Sequence, residues 1–365
     1  MESNAWLYIN ITLLITIVGF FIRKNKLFFL LQLVWMQLIM GLNTYSMDWE
    51  SNENVFLNAN TTSNARSGIF LRLYDIIAVF FKNIGLNYIT FNFIFCLIST
   101  GIVGYIIYRL CKNPCIVISY IYIYPFIDNV IQKRAYYALG FIILGFYLFF
   151  KIKSKLLKNI AYLCCIILAC QFHVLAILGF SFVIYELLSN NYKKIFVSLV
   201  ILLGFLFRSK FAYIISILNV QSLNEKSDLY FNQLAKSSTL FHLIFWIFWQ
   251  VAYLLIIIYC IKRFNLTTKL PSYVLDLNVW ALILLPFYTF DPVFSRIFRV
   301  VMIFNYIVIS NNIKIKDLKI NKDSIYILFS QIILSCLSLY VFVFNSPFGF
   351  DNMVLNIFQN NVLLR

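Results

Sequence analysis

Five ionisable side chains stand within or at the edge of long apolar segments of this 365-residue chain: His173, Arg134, Arg208, Arg296 and Arg299. A charge at the centre of a bilayer costs at least about 2.5 to 3.5 kcal/mol, so such residues are candidates for function. Guanidinium groups hold phosphate oxygens in a bidentate fork. Imidazole titrates near neutrality and serves as a general base or orients a hydroxyl. The pattern predicts a site for an anionic ligand, and a lipid diphosphate suits it.

Each of these residues, taken alone, can also be explained by a purely structural role. An arginine snorkels to the interface or pairs with a neighbouring acid, Arg134 with Asp128 and Arg296 with Asp291. A lone histidine is often a core residue bonded to a helix carbonyl. Four arginines on three different segments, with few acids nearby, nevertheless favour the ligand.

Two polar segments add candidate residues. The stretch NTYSMDWESNEN, residues 43–54, carries Asp48 and Glu50, whose carboxylates suit a base or a contact to sugar hydroxyls, although a solvated loop is the default reading. Residues 219–238 place Tyr230 among polar side chains, and an aromatic face beside polar groups favours carbohydrate.

The composition indicates a membrane protein. The chain is 62% hydrophobic and only 12% charged, against about 45–50% and about 25% in soluble domains. In a membrane protein, the basic residues behind the net charge of +16 indicate which side of the bilayer each loop occupies, and they do not point to a nucleic acid. The motifs of nucleotide-binding proteins, metalloproteases and serine hydrolases are absent from the sequence, and no metal site is expected from the eight cysteines, which show no CxxC spacing.

Apolar segments of about 20 residues span a bilayer, and cytoplasmic connections carry the excess of Lys and Arg. Six basic connections hold 18 of the 30 basic residues. The segments predicted to cross the bilayer are 5–22, 27–43, 87–108, 114–127, 134–150, 159–189, 194–218, 240–261, 273–290, 293–312 and 324–344.

If all six basic connections lie on the cytoplasmic side, the course of two segments is constrained. Residues 67–84 must not cross and are predicted to form an amphipathic helix in the outer interface. Residues 159–189 must cross twice, which puts His173 at the tip of a hairpin near the outer face. We thus predict an all-α polytopic membrane protein of about 10–12 helices, with residues 1–365 as a single transmembrane domain and external loops at about 44–67 and 219–238.

Several of these residues also carry a family resemblance. The segment IDNVIQKRAYYALGFIILG, followed by a basic loop and CCIILACQFHVLAIL, resembles the core of the EpsG family of Wzy-type bacterial polysaccharide polymerases. Gln132 and Arg134 match the family's Gln-x-Arg pattern, and Phe172 and His173 match its phenylalanine–histidine pair. FSRIFRVVMIFNYIVI, which begins at residue 294, is similar to its late arginine-containing helix.

The resemblance implies a GT-C-like helical glycosyltransferase in the bacterial plasma membrane, with its active site facing the outside or periplasm. A growing glycan on undecaprenyl diphosphate would be transferred to the non-reducing end of a lipid-linked repeat unit, without cofactor, metal or nucleotide. The arginines would bind the diphosphate. His173, with Asp48 or Glu50 in reserve, would activate the acceptor hydroxyl, and Gln132 and Tyr230 would contact sugar. A flippase and a chain-length regulator of the same pathway are expected partners, and nucleic acid is not.

Two other readings stay open from the residues. A membrane O-acyltransferase of surface glycans also has about ten helices and an essential His and Arg, but the first basic connection here has no nearby histidine. A lipid-linked oligosaccharide flippase would favour cations through the full depth of a cavity and repeat symmetry.

Overall fold

The computed structural model describes residues 2–60, 71–210, 213, 240–290, 292–313, 315–316, 319–346 and 348–363. Within these ranges the chain is almost entirely helical. The α-helices are α1 (Glu2–Ile22), α2 (Lys26–Gly41), α3 (Trp49–Leu57), α4 (Arg72–Asn83), α5 (Tyr88–Leu110), α6 (Pro114–Ile123), α7 (Phe126–Ile131), α8 (Lys133–Lys151), α9 (Lys155–Cys170), α10 (Phe180–Leu187), α11 (Asn190–Leu206), α12 (Leu240–Arg263), α13 (Lys269–Ala281), α14 (Ser295–Asn311), α15 (Lys322–Val343) and α16 (Asn356–Gln359).

Shorter elements join these helices. Strands β1 (Ile315–Lys316) and β2 (Lys319–Ile320) form an antiparallel pair. The remaining elements are 3₁₀ turns at Val174–Gly179, Arg208–Lys210, Leu282–Thr289 and Pro292–Phe294, and a π turn at Asp351–Leu355.

The described part of the chain holds six helices long and apolar enough to cross a membrane, which confirms the prediction of an all-α polytopic membrane protein. Three shorter apolar helical segments accompany them, at Lys26–Gly41, Pro114–Ile123 and Val174–Leu187. The six long segments are Asn4–Ile22, Tyr88–Leu110, Lys133–Lys151, Leu240–Arg263, Lys269–Thr289 and Lys322–Val343.

Two predicted segments differ from the structure. The segment predicted over 114–127 is broken at Pro125, because proline lacks an N–H and clashes with the preceding turn. The carbonyl of Tyr124 at the break accepts from the hydroxyl of Tyr306, 2.9 Å away. The helix predicted over 194–218 ends at Leu206, and its last residues, apart from Tyr213, lie outside the described ranges.

A helix is observed in the segment 67–84 as α4, and residues 67–70 lie outside the described ranges; its place in the outer interface stays a prediction. The ammonium group of Lys82 in its last turn donates to the carbonyls of Leu57 and Ala59, at 3.0 and 2.6 Å. These bonds tie the end of α4 to the segment that follows α3.

The described chain divides into two compact units. The first unit comprises residues 1–60, 75–144 and 306–365. In it, α6 is buried along its length and packs against α1, α2 and α15. Gln32 of α2 donates to the hydroxyl of Ser119 and to the carbonyl of Cys115, at 3.1 and 3.3 Å. Gly19 of α1 permits this approach, because a Cβ there would lie only 2.2 Å from the Ser119 hydroxyl.

The second unit comprises residues 61–74 and 145–305 and contains the hairpin. The chain reverses at His173 between α9 and the segment Val174–Leu187, as the sequence predicts. Glu186 at the end of the returning arm binds Lys193 at 2.5 Å and Lys158 at 3.9 Å. The first turns of α9 and α11 therefore lie at the same end of the unit, opposite the hairpin tip.

We expect Glu186→Gln to destabilise the protein by about 1.5 to 3 kcal/mol, the range of a hydrogen bond to a charged group. Both side chains of the Glu186–Lys193 pair are mostly buried, so solvent screens their attraction little. Thermal unfolding of the purified protein measures the effect, and Asp351→Asn, at an exposed position, is the matched control. Equal unfolding temperatures for the two variants would show that Glu186 does not hold these helix ends.

Candidate functional site

Two adjacent cations occupy the first turn of α8 in the first unit. Lys133 is 1% exposed. Its ammonium nitrogen lies 3.2 Å from the side-chain oxygen of Asn43 and 4.4 Å from the ring centroid of Trp49. Arg134 is half-buried, and its Nε donates to the side-chain oxygen of Asn52 at 3.0 Å. Within the described ranges, the groups that contact these two side chains are neutral, and neither side chain pairs with a carboxylate.

The first predicted external loop supplies these neutral partners because α3 folds within it. The indole N–H of Trp49 donates to Glu53 one turn later, at 3.0 Å. The Trp49 ring packs against Tyr88 at the start of α5, with centroids 4.8 Å apart. These contacts fix Trp49 beside Lys133 and turn Asn52 toward Arg134.

Asn43 joins the loop to the C-terminal segment. Its side-chain N–H groups donate to the carbonyls of Ile357 and Asn360, at 3.1 and 3.2 Å. Asn361 makes the reciprocal contact and donates to the carbonyls of Leu38 and Ile39, at 3.0 and 3.3 Å. Asn43 therefore caps α16 through its nitrogen while its oxygen accepts from Lys133.

The two candidate carboxylates of the loop differ in position. Asp48 is half-buried and immediately precedes α3, where its carbonyl accepts from the N–H of Asn52 at 3.0 Å. Residues four apart lie on the same helix face, so Asp48 lies one turn from the group that binds Arg134. Glu50 is exposed in the first turn of α3. Of the two, Asp48 is the less exposed.

The pairing of Arg134 with Asp128 is not observed. Within the described ranges, both salt bridges involve Glu186. The Asp128 carboxylate accepts from Tyr124, and the Asp128 carbonyl accepts from the N–H of Gln132. Gln132 itself is half-buried between α7 and α8.

His173 lies at the hairpin tip of the second unit, half-buried. Its Nδ1 accepts from the backbone N–H of Leu175 at 3.3 Å and so caps the turn Val174–Gly179. In a neutral imidazole one nitrogen donates and the other accepts. With Nδ1 as acceptor, Nε2 carries the proton. In this tautomer Nε2 is a hydrogen-bond donor.

The other predicted arginines also belong to the second unit. Arg208 is exposed, donates to the carbonyl of Thr289 at 2.6 Å and lies 5.3 Å from the ring centroid of Phe290. Arg296 is half-buried, and its Nε makes no hydrogen bond with a described residue. Arg299, one turn later on α14, is 2% exposed.

Two further positions fall where the chain is not described. Tyr230, a predicted sugar contact, lies outside the described ranges, as does the whole loop 219–238. Asp291, the acid considered as a partner of Arg296, also lies outside them. Among the residues that are described, no group of three His, Cys, Asp or Glu side chains is arranged to hold a metal ion.

Sequence reasoning missed Lys133, although a signal was present. Lys133, Tyr137 and Gly140 follow the i, i+4, i+7 spacing of one helix face. Tyr137 is fully buried, and a Cβ on Gly140 would lie 2.8 Å from the hydroxyl of Ser99. A lysine in phase with such residues is expected to be buried.

The fold and this arrangement of charges define a polytopic membrane protein in which two cations at one helix end, Lys133 and Arg134, pair with no described carboxylate. A sequence profile of the EpsG family matches residues 6–356, and the chain belongs to that family. Membership in the EpsG family indicates a role in polysaccharide biosynthesis at a membrane. No curated protein and no solved structure gives a significant match.

We expect His173→Ala to lower stability and His173→Asn to retain most of it. Loss of a side-chain helix cap costs about 0.5 to 2 kcal/mol, and asparagine is among the best capping residues. Thermal unfolding of the two purified variants measures the difference. If both variants unfold together at the wild-type temperature, the contact from His173 to Leu175 does not contribute to stability.

Proposed function

We propose that the protein is a polysaccharide polymerase that joins lipid-linked repeat units at the outer face of a bacterial plasma membrane. The donor is a growing glycan on undecaprenyl diphosphate, and the acceptor is a lipid-linked repeat unit. The observation that carries this proposal is the pair Lys133 and Arg134, held at one helix end by neutral groups alone. Membership in the EpsG family supports it.

The reaction requires stabilisation of a leaving diphosphate. The acceptor hydroxyl oxygen attacks the anomeric carbon of the donor's reducing-end sugar, and the bond from that carbon to the diphosphate oxygen breaks. Undecaprenyl diphosphate leaves with the bonding electrons, and the hydroxyl proton passes to a base. The phospho-glycosyl bond supplies the driving force, so the reaction needs neither nucleotide nor metal.

Lys133 and Arg134 suit the charge that develops on this leaving group. Preorganised donors act most strongly where they meet charge that forms in the transition state. An amide oxygen orients a cation without neutralising it, whereas a carboxylate would cancel its field. Arg134 uses only Nε in its bond to Asn52, and no described residue accepts from its terminal nitrogens. That end of the guanidinium suits bidentate contact with phosphate oxygens.

In the second unit, we assign Arg296, Arg299 and Arg208 to diphosphate binding from residue type and position. Arg296 and Arg299 lie in the first turns of α14, and the positive end of a helix dipole also favours an anion. We assign His173 to the acceptor hydroxyl from residue type and from its match to the family's phenylalanine–histidine pair. The variant His173→Asn isolates this role, because it keeps the cap and removes the imidazole.

We expect Arg134→Ala to lower polymer formation by about 100-fold or more, the loss typical when one transition-state donor is removed. Arg134→Lys retains the charge without the planar fork and should fall between this variant and the wild type. Polymer and lipid-linked repeats, separated from cells that express each variant, measure the effect. Arg72→Ala, at an exposed arginine of α4, is the control.

Single repeats on the outer leaflet of Arg134→Ala cells support a polymerase. Accumulation on the inner leaflet supports a flippase instead, and full-length polymer without acetyl groups supports an acyltransferase. Normal amounts of unaltered polymer from stably expressed Arg134→Ala would remove this residue from the site.

We further expect Asp48→Asn to reduce the polymerisation rate strongly and Glu50→Gln to leave it near the wild-type value. Asp48 lies one turn from the Arg134 partner Asn52, whereas Glu50 is exposed. Both substitutions exchange a carboxylate for an amide of the same shape, so they form a matched pair. General-base catalysis contributes about 10²- to 10⁴-fold, and polymerisation rates in membrane preparations measure the loss. Equal rates in the two variants would exclude Asp48 as the base.

A further inference from the structure

A basic cavity of about 330 Å³ lies in the first unit, away from Lys133 and Arg134. Its lining has four cations and no carboxylate: Lys24, Lys26, Arg109 and Lys112. Helix α2 begins at the cavity and ends next to Asn43, and its 16 residues span about 24 Å. The cavity is thus separate from the cations on α8.

The main chain holds the two walls of this cavity in place. The turn between α1 and α2, which carries Lys24, is tied to α6 because the carbonyl of Arg23 accepts from the N–H of Cys115 at 3.1 Å. On the other wall, the N–H of Lys112 donates to the side-chain oxygen of Asn311 at 2.6 Å. The backbone is therefore fixed by bonds that leave the side-chain charges available.

None of the four cations forms a salt bridge with a described residue, and all four are exposed. Elsewhere in the chain, Lys158 and Lys193 share Glu186. Four like charges around a concave surface repel one another and raise the local concentration of anions. An anion in the cavity would relieve this repulsion.

The surroundings of the cavity indicate where the anion comes from. Phe21 is 77% exposed and Leu27 is 80% exposed, and both lie within a few residues of Lys24. Apolar side chains beside a basic cavity suit a lipid, with its chains on the apolar surface and its head group on the cations. Tyr108, which lines the cavity, also lies 5.8 Å from the Lys26 ammonium and has the amphipathic character of an interfacial residue.

We propose that this cavity binds a phosphate oxyanion, contributed by the head group of an anionic phospholipid or by a soluble phosphate. The site is independent of the proposed polymerase reaction. It lies at the opposite end of α2 from Lys133 and Arg134.

The test uses purified full-length protein in detergent, titrated with short-chain phosphatidylglycerol, with phosphatidylcholine and with inorganic pyrophosphate. Arg109→Gln with Lys112→Gln should weaken phosphatidylglycerol binding about 30-fold, at roughly fivefold for each cation near an anionic surface. Lys153→Gln with Lys155→Gln removes the same charge from exposed positions outside the cavity and should leave binding unchanged.

The three ligands separate the outcomes. Binding of phosphatidylglycerol that only the cavity variant loses supports a lipid head-group site. Binding of pyrophosphate alone, with the same selective loss, supports the site with a soluble phosphate as its ligand. Equal phosphatidylglycerol affinity in the two double variants overturns the proposal. So does a wild-type protein that binds phosphatidylcholine as tightly as phosphatidylglycerol. Lys24→Gln with Lys26→Gln on the other wall provides a second test if the first variant does not fold.

Discussion

Polar groups inside a membrane protein must bond to one another, because the hydrocarbon region offers no water in exchange. In the first unit this constraint determines which helices are neighbours. Asn92 of α5 donates to the carbonyls at the end of α2, and its oxygen accepts from Tyr137 of α8 at 2.6 Å. Gln32 and Ser119 form the equivalent contact between α2 and α6. Each bond fixes a pair of helices that hydrophobic packing alone would leave free to slide.

Charged side chains that are buried or half-buried have two kinds of surroundings in the described part of the chain. In the second unit, Lys193 is compensated by Glu186, and the pair holds helix ends together. In the first unit, amide oxygens and an aromatic face position Lys133 and Arg134, and neither side chain pairs with a described carboxylate. Compensation suits a structural role, whereas preserved charge suits a ligand that brings its own negative charge. The exposed cations that line the basic cavity also form no salt bridge with a described residue.

Much of the architecture could be predicted from the sequence. The apolar segments and basic connections give the helices to within a few residues, and the charge pattern requires the reversal at His173. These features depend on properties that accumulate over many residues. The break at Pro125 and the end of α11 at Leu206 were not predicted, because each is decided by local backbone bonding within an apolar stretch.

The sequence by itself determined the class of protein, the family and the candidate arginines, since hydrophobicity, charge and short motifs are properties of residue type. Only the tertiary structure decided what those cations touch. It distinguished Asp48 from Glu50, identified Lys133 as buried, and assigned the Nδ1 of His173 to a backbone cap. The partner of Lys133 is the clearest case, because Asn43 lies 90 residues earlier in the chain and no local pattern encodes their contact.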